Sequence, residues 1–186
     1  MIITISGVPG SGKTSAGKIV AEKLGLRFYS IGGLRAKMAE ERGVTIDELN
    51  AIGEKDHTTD TDVDAYQKKL GETEDNIMIE GRLSWHCIPN SFKIFLDCDR
   101  DEAARRIYLA KQRGERSDEA DYASVEDARK RLDDRMASDT RRYQAIYGVD
   151  YQDPSHYDLV VDTTKLHGAE TTANAILDVL KTRKLA

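Results

Sequence analysis

Several absences in this chain narrow what it can be. Cysteine occurs only as Cys87 and Cys98, which form neither a CxxC pair nor part of a metal-ligand cluster. A disulfide framework is thereby excluded, and both are expected as buried thiols in a reducing compartment. No apolar run approaches the length of a membrane span, and no basic segment precedes the first apolar stretch. A cytoplasmic protein without a membrane partner is the expectation. Positive charge is not in excess either: the formal net charge is -5, which argues against a nucleic-acid partner but leaves room for a local basic pocket. Repeats and low-complexity tracts are missing. What remains is 186 residues with 39% hydrophobic and 33% charged residues, the composition of a single, ion-pair-rich globular domain.

Against that background one stretch stands out. "GVPGSGKTSAG" follows "MIITIS" and matches G-x-x-x-x-G-K-[ST] with Gly7, Gly12, Lys13 and Thr14. It lies between a strand-like run and a helical segment, the context of a P-loop. A triphosphate needs several backbone N–H groups turned inward at close range, which small residues permit, and the helix starting near Gly12 adds its positive end. Gly7, Val8, Pro9, Gly10, Ser11, Gly12, Lys13, Thr14 and Ser15 are therefore the expected ATP-binding residues. Lys13 is expected to reach the β- and γ-phosphates, and the Thr14 hydroxyl to hold Mg²⁺.

Five β-like runs occur: Ile2 to Ser6, Arg27 to Ile31, Asn76 to Glu80, Phe92 to Asp97 and Tyr157 to Asp162. Helical periodicity fills the intervals, so the pattern predicts an α/β fold, a five-stranded parallel sheet with helices on both faces. The first helix, Lys13 to Leu24, should bury Ile19, Val20 and Leu24, and the last, Ala169 to Lys184, should bury Ala173, Ile176, Leu177 and Leu180. The crossover after the second strand, about 32–75, is far longer than one helix requires. It holds "GGLRAKMAEERG", "TIDELNAIGEK" with a capping box from Thr45 to Glu48, and "TDVDAYQKKLGE". Three helices in one crossover predict a lobe for a second substrate. A helix from Asp101 to Gly114, the polar segment at about 113–124 and a helix returning to Tyr147 predict a lid.

A P-loop binds phosphates; what happens to them depends on the rest of the chain. None of the asparagines at 50, 76, 90 and 174 precedes a lysine, so the guanine-reading N-K-x-D signature is missing. Transfer to a phosphate acceptor needs alignment, charge neutralisation and exclusion of water, with arginines to hold the acceptor in bidentate fashion. Arg35 opens the first insert helix. Arg82 follows the third strand in "IMIEGRL", at the carboxyl edge where open parallel sheets bind ligands. Arg106, Arg131, Arg135, Arg141 and Arg142 flank the lid, each also placed to form surface ion pairs with carboxylates such as Asp133, Asp134 and Asp139.

"ISGVPGSGKT", "SIGGLRAKMAEERG", "DTDVDAYQ", "IEGRL", "KIFLDCD" and "RRYQAIYGVD" followed by "YDLVVDTT" together resemble the short, archaeal-type cytidylate kinases of the nucleoside monophosphate kinase family. The similarity runs in order over almost the whole chain. The resemblance implies transfer of the γ-phosphate of ATP to CMP or dCMP by a monomer acting on small-molecule nucleotides. Carried over by position, Ser30 and Arg35 would contact the monophosphate, Arg82 would hold its phosphate, and Arg106, Arg135 and Arg142 would serve the lid and the transferring group. Leu83 departs from the aspartate found after Gly-Arg in bacterial-type members, Leu34 stands where phenylalanine is common, and "GRLSWHCIPN" lacks a glycine before tryptophan, so the base pocket is expected to differ.

Cytosine needs an acceptor for its exocyclic amine, which a carboxylate supplies. Asp60 and Asp64, one turn apart, with Gln67 on the same face, are the candidates. His57 and His86 have no metal-ligand companions, and Trp85 and Tyr66 read as core or as stacking surfaces. Two alternatives stay open: a kinase of another monophosphate or small metabolite, with Glu80 as base if the acceptor were an alcohol, and a nucleotide-binding regulator with little turnover.

Overall fold

The computed structural model describes residues 1–55, 58–115 and 121–185, without the side chains of 46, 47, 50, 54, 55 and 58–60. Strands β1 (Ile2–Gly7), β2 (Arg27–Ser30), β3 (Ile77–Glu80), β4 (Phe92–Asp97) and β5 (Leu159–Asp162) form one parallel sheet in the order β2-β3-β1-β4-β5. Between and after them run α1 (Lys13–Lys23), α2 (Ile31–Glu41), α3 (Ile46–Lys55), α4 (Thr58–Thr73), the short α5 (Ser84–Cys87), α6 (Arg100–Gln112), α7 (Val125–Tyr147) and α8 (Ala169–Thr182).

Alternation along the strands divides the core. Ile3, Ile5, Ile94 and Leu96 pack with Val20 and Ala21 of α1 and with Ala173, Ile176, Leu177 and Leu180 of α8, as the helix patterns predicted. Ile19 and Leu24 lie at the margin of that cluster, only partly buried. Phe95 faces the other way, against Ala103, Ala104 and Ile107 of α6 and Leu132 and Met136 of α7. A third cluster joins Ile77 and Ile79 to Ile31, Val63, Leu70 and Ile88.

The outer strands are less buried than helices on both faces of the sheet would make them. β5 alternates half-buried and exposed residues, with Val160 43% exposed, because an edge strand is covered from one side. The second face of β1 is polar, and its buried hydroxyls are satisfied: Thr4 shares a hydrogen bond with Ser91 at 2.9 Å, and Ser6 donates to the Arg82 carbonyl at 3.1 Å.

Element ends follow local chemistry. The second strand stops at Ser30, one residue early, because the Ser30 hydroxyl accepts from Gly33 N–H and caps α2. Asn76 has φ 54 and turns the chain, so β3 starts at Ile77. The capping box forms as expected, Thr45 N–H donating to Glu48 at 2.7 Å and Glu48 N–H to the Thr45 hydroxyl at 3.2 Å. Asp99 caps α6, Ser124 caps α7, and α7 ends at Gly148 with φ 68. Both cysteines are buried and free. No helix among the described residues is long and apolar enough to cross a membrane.

Candidate active site

The carboxyl edge of the sheet opens into a cavity of about 670 Å³ between the P-loop, the α2–α4 insert and α6–α7. Pro9, Gly10, Gly12, Lys13, Thr14 and Ser15 form one wall. The loop is held by its own backbone: Val8 N–H donates to the Leu96 carbonyl and Ser11 N–H to the Val8 carbonyl. α1 opens with Ala16 N–H donating to the Gly12 carbonyl, and the N–H groups of its first turn point out of that end of the helix. They make the anion-binding end of α1.

The glycines divide their work differently from expectation. A Cβ at Gly7 would stand 2.3 Å from the Leu96 carbonyl oxygen, and one at Gly10 would stand 2.6 Å from that of Ala103. The space these two leave is taken by β4 and α6, so they serve close packing of the loop onto the fold. Gly12 has open space around it but φ 84, a conformation that glycine adopts without steric cost. Gly7, Val8 and Ser11 lie beneath the cavity surface, Val8 in the core and Ser11 1% exposed.

Lys13 projects toward the end of β3, its Nζ 4.0 Å from Oε1 of Glu80. Glu80 is 4% exposed and accepts the Ser30 hydroxyl on its other oxygen at 2.7 Å. Ser30 therefore joins β2, β3 and α2, while also lining the cavity with Arg35, Asp64, Gln67, Arg82, Arg106 and Arg135.

Behind Arg82 lies a buried charge cluster. Its Nε meets Oδ2 of Asp139 at 2.8 Å, while the other oxygen of Asp139 accepts from Arg142. Asp139 is 1% and Arg142 3% exposed. Burial works against the charge on Arg82, but Asp139 more than offsets it and holds the guanidinium protonated. Arg135, Asp139 and Arg142 are spaced i, i+4, i+7 on one face of α7.

Two of the expected arginines have partners that the sequence did not reveal. Arg142 does not line the cavity; it sits beneath, fixing the carboxylate that fixes Arg82. Arg106 does line it, but its guanidinium donates to the carbonyls of Thr163 at 2.8 Å, Thr164 at 3.2 Å and Leu166 at 3.2 Å and to Glu102 at 2.8 Å, anchoring the β5–α8 loop. Arg131 is an exposed residue paired with Asp127 on its own helix, and Arg141 lies on the exposed face of α7.

At the insert, Asp64 and Gln67 are buried side by side, the Gln67 amide donating to Asp64 at 3.1 Å. Asp60 and His57 lie outside the described residues, as do residues 116–120 of the expected lid. Tyr66 is 41% exposed and away from the cavity. Trp85 is core, stacked on His156 at 4.3 Å, and burial lowers the pKa of His86 beside it. Tyr143 and Tyr147 also line the cavity and were not singled out from the sequence. Their position in α7, one turn apart, was the available signal.

Residues 2–165 match the model of the cytidylate kinase-like family. Among curated relatives, the chain is 35% identical to the cytidylate kinase of Methanopyrus kandleri, covering 99% of this chain and 96% of that protein. It is 34% identical to the cytidylate kinase of Archaeoglobus fulgidus over 100% of this chain and 97% of the relative. Among solved structures, the shikimate kinase of Bacteroides thetaiotaomicron has the same fold, with a TM-score of 0.64 at 17% identity over 97% of this chain and 98% of that one. A matching family model over most of its length, full-length relatives and a P-loop facing arginines across one cavity place the chain in the cytidylate kinase-like family of ATP-dependent nucleoside monophosphate kinases.

Proposed function

We propose that the protein transfers the γ-phosphate of ATP to CMP or dCMP, giving ADP and CDP or dCDP. The observation that carries this reading is the two-sided cavity: the P-loop with Lys13 forms one wall, and Arg35, Arg82 and Arg135 with Asp64 and Gln67 form the other. Donor phosphates belong at the first wall, and a second phosphate with a polar base at the second.

Transfer between phosphates needs no base to activate the acceptor, which is already ionised. The protein's part is to align the two groups, oppose their negative charge and exclude water. Lys13 is placed for the β- and γ-phosphates. Arg82, protonated and fixed by Asp139, presents a rigid fork to the acceptor phosphate. Arg35 approaches from α2 and Arg135 from α7, the latter toward the group in transit. The α2–α4 insert acts as the acceptor lobe, and the segment at about 113–124 with the helix returning from it as the lid.

The chemistry at the Lys13 wall suits Mg²⁺. Thr14 and Glu80 bring oxygen donors to the cavity, and no cluster of three or more His, Cys, Asp or Glu able to hold a metal occurs among the described residues. Mg²⁺ is commonly held by one or two protein oxygens, with substrate phosphates and water completing its shell. Thr14 would hold it, with Glu80 near, and once bound it neutralises charge on the phosphate oxygens.

A coupled assay of ADP release with ATP, Mg²⁺ and each of CMP, dCMP, UMP, AMP and GMP tests the proposal against a no-acceptor control. Release should be fastest with CMP or dCMP. Preference for another monophosphate would move the substrate, and release equal to the control in every case would overturn the reading.

A further inference from the structure

Asp64 belongs to a chain of buried hydrogen bonds that crosses from the insert to the core and to α7. The Tyr147 hydroxyl donates to one Asp64 oxygen, and the Gln67 amide donates to the other at 3.1 Å. The carbonyl end of the same amide accepts from the Ser84 hydroxyl at 2.6 Å. Asp64 is 7%, Gln67 2% and Ser84 0% exposed.

The chain has a fixed polarity. A carboxylate only accepts, so the amide nitrogen of Gln67 must face Asp64. Its oxygen is then left for Ser84, and the orientation of the amide follows from the network. Donors from α4 and α7 converge on Asp64 and orient the carboxylate. Asp64, Gln67 and Tyr147 all reach the wall of the cavity that carries Arg82.

The geometry points to Tyr147 as a specificity-determining residue: by holding Asp64 from α7, it keeps an acceptor at the base-binding end and so selects a pyrimidine with an exocyclic amine over one with a carbonyl. This inference rests on the proposed cytidylate kinase reading. Cytosine presents an N–H₂ donor where uracil presents an oxygen. Against an oriented carboxylate the amine gains a charge-assisted bond, whereas the carbonyl brings two acceptors together. Discrimination of this kind is large because the mismatched base leaves a buried polar group without its partner. Tyr147 has a positioning part in this, since its hydroxyl acts through Asp64.

The test is the ratio of kcat/KM for CMP to that for UMP in the wild-type protein, in Asp64→Asn and in Tyr147→Phe, with KM for ATP and the thermal midpoint as references. Asp64→Asn keeps the shape but offers an N–H₂ donor to the uracil oxygen, and the ratio should fall at least about ten-fold. Tyr147→Phe removes one oxygen atom, and the ratio should fall roughly three- to ten-fold, carried by KM for CMP more than by kcat. A wild-type ratio in folded Tyr147→Phe overturns the inference, and this variant decides alone if Asp64→Asn does not fold. Loss of turnover by the same factor for both acceptors would show a merely structural role and overturn it too. A wild-type protein that phosphorylates CMP while the variants keep its ratio defeats this inference only; a wild-type protein that transfers to neither pyrimidine defeats the functional reading beneath it.

Discussion

The two walls of the cavity are built by opposite rules. The P-loop wall comes from one contiguous stretch, within residues 9–15, and presents backbone amides together with one lysine. The facing wall is assembled from α2, the residues at and just after the end of β3, α4 and α7, and side chains such as Arg82 with Asp139 and Asp64 with Gln67 and Tyr147 hold one another in place. A local site tolerates loss of a side chain at its rim because the backbone carries the geometry. A distributed site depends on pairs, and removing one member leaves a buried partner unsatisfied.

The largest effect is therefore expected on the distributed side. Asp139→Ala strips the carboxylate from between Arg82 and Arg142 and leaves buried positive charge, a loss of about 3–5 kcal/mol. For a domain of this size the thermal midpoint should fall by roughly 6–20 °C. An unchanged midpoint would mean that the cluster relaxes freely and the contrast between the walls is wrong.

Lys13→Ala should behave the other way. Its ammonium lines the cavity, 4.0 Å from Glu80. Turnover should drop at least ten-fold, about 1.4 kcal/mol in the barrier, with the thermal midpoint preserved. Near-normal turnover would remove Lys13 from the mechanism.

A smaller effect concerns the anchor of the β5–α8 loop. Hydrogen bonds from Arg105 and Arg106 hold the Glu102 carboxyl at about 2, well below its ordinary value of 4.5. A depressed folded-state pKa contributes stability that is present above pH 4.5 and lost as pH falls through about 2. Glu102→Gln should flatten the decline of the thermal midpoint over that interval relative to the wild-type protein. Identical acid profiles would show that the Arg105 and Arg106 contacts contribute nothing to folding.

The difference between the walls also explains what could be read in advance. The P-loop, the alternation of β and α segments, the capping box at Thr45 and the buried face of α8 all depend on residues close in the chain, whose spacing carries the message. Arg82 was legible from its place after β3. Asp139 was not: in sequence it resembles Asp133 and Asp134, and only burial separates it from Asp133, whose partners Arg100 and Arg129 are surface residues. Arg106 and Arg142 were expected to serve the lid and the transferring group, and their contacts to the carbonyls of 163, 164 and 166 and to Asp139 were not legible in the sequence.

By itself, then, the sequence determined the fold class, the phosphate loop and the family, since periodicity and short-range spacing decide which segments become strands or helices. Tertiary structure alone decided which charges are buried and which residues of α4 and α7 meet. Tyr147 and Asp64 stand 83 positions apart. No local pattern encodes such a pairing; it arises when the hydrophobic faces of separate elements are buried against one sheet and bring their polar edges to a common rim.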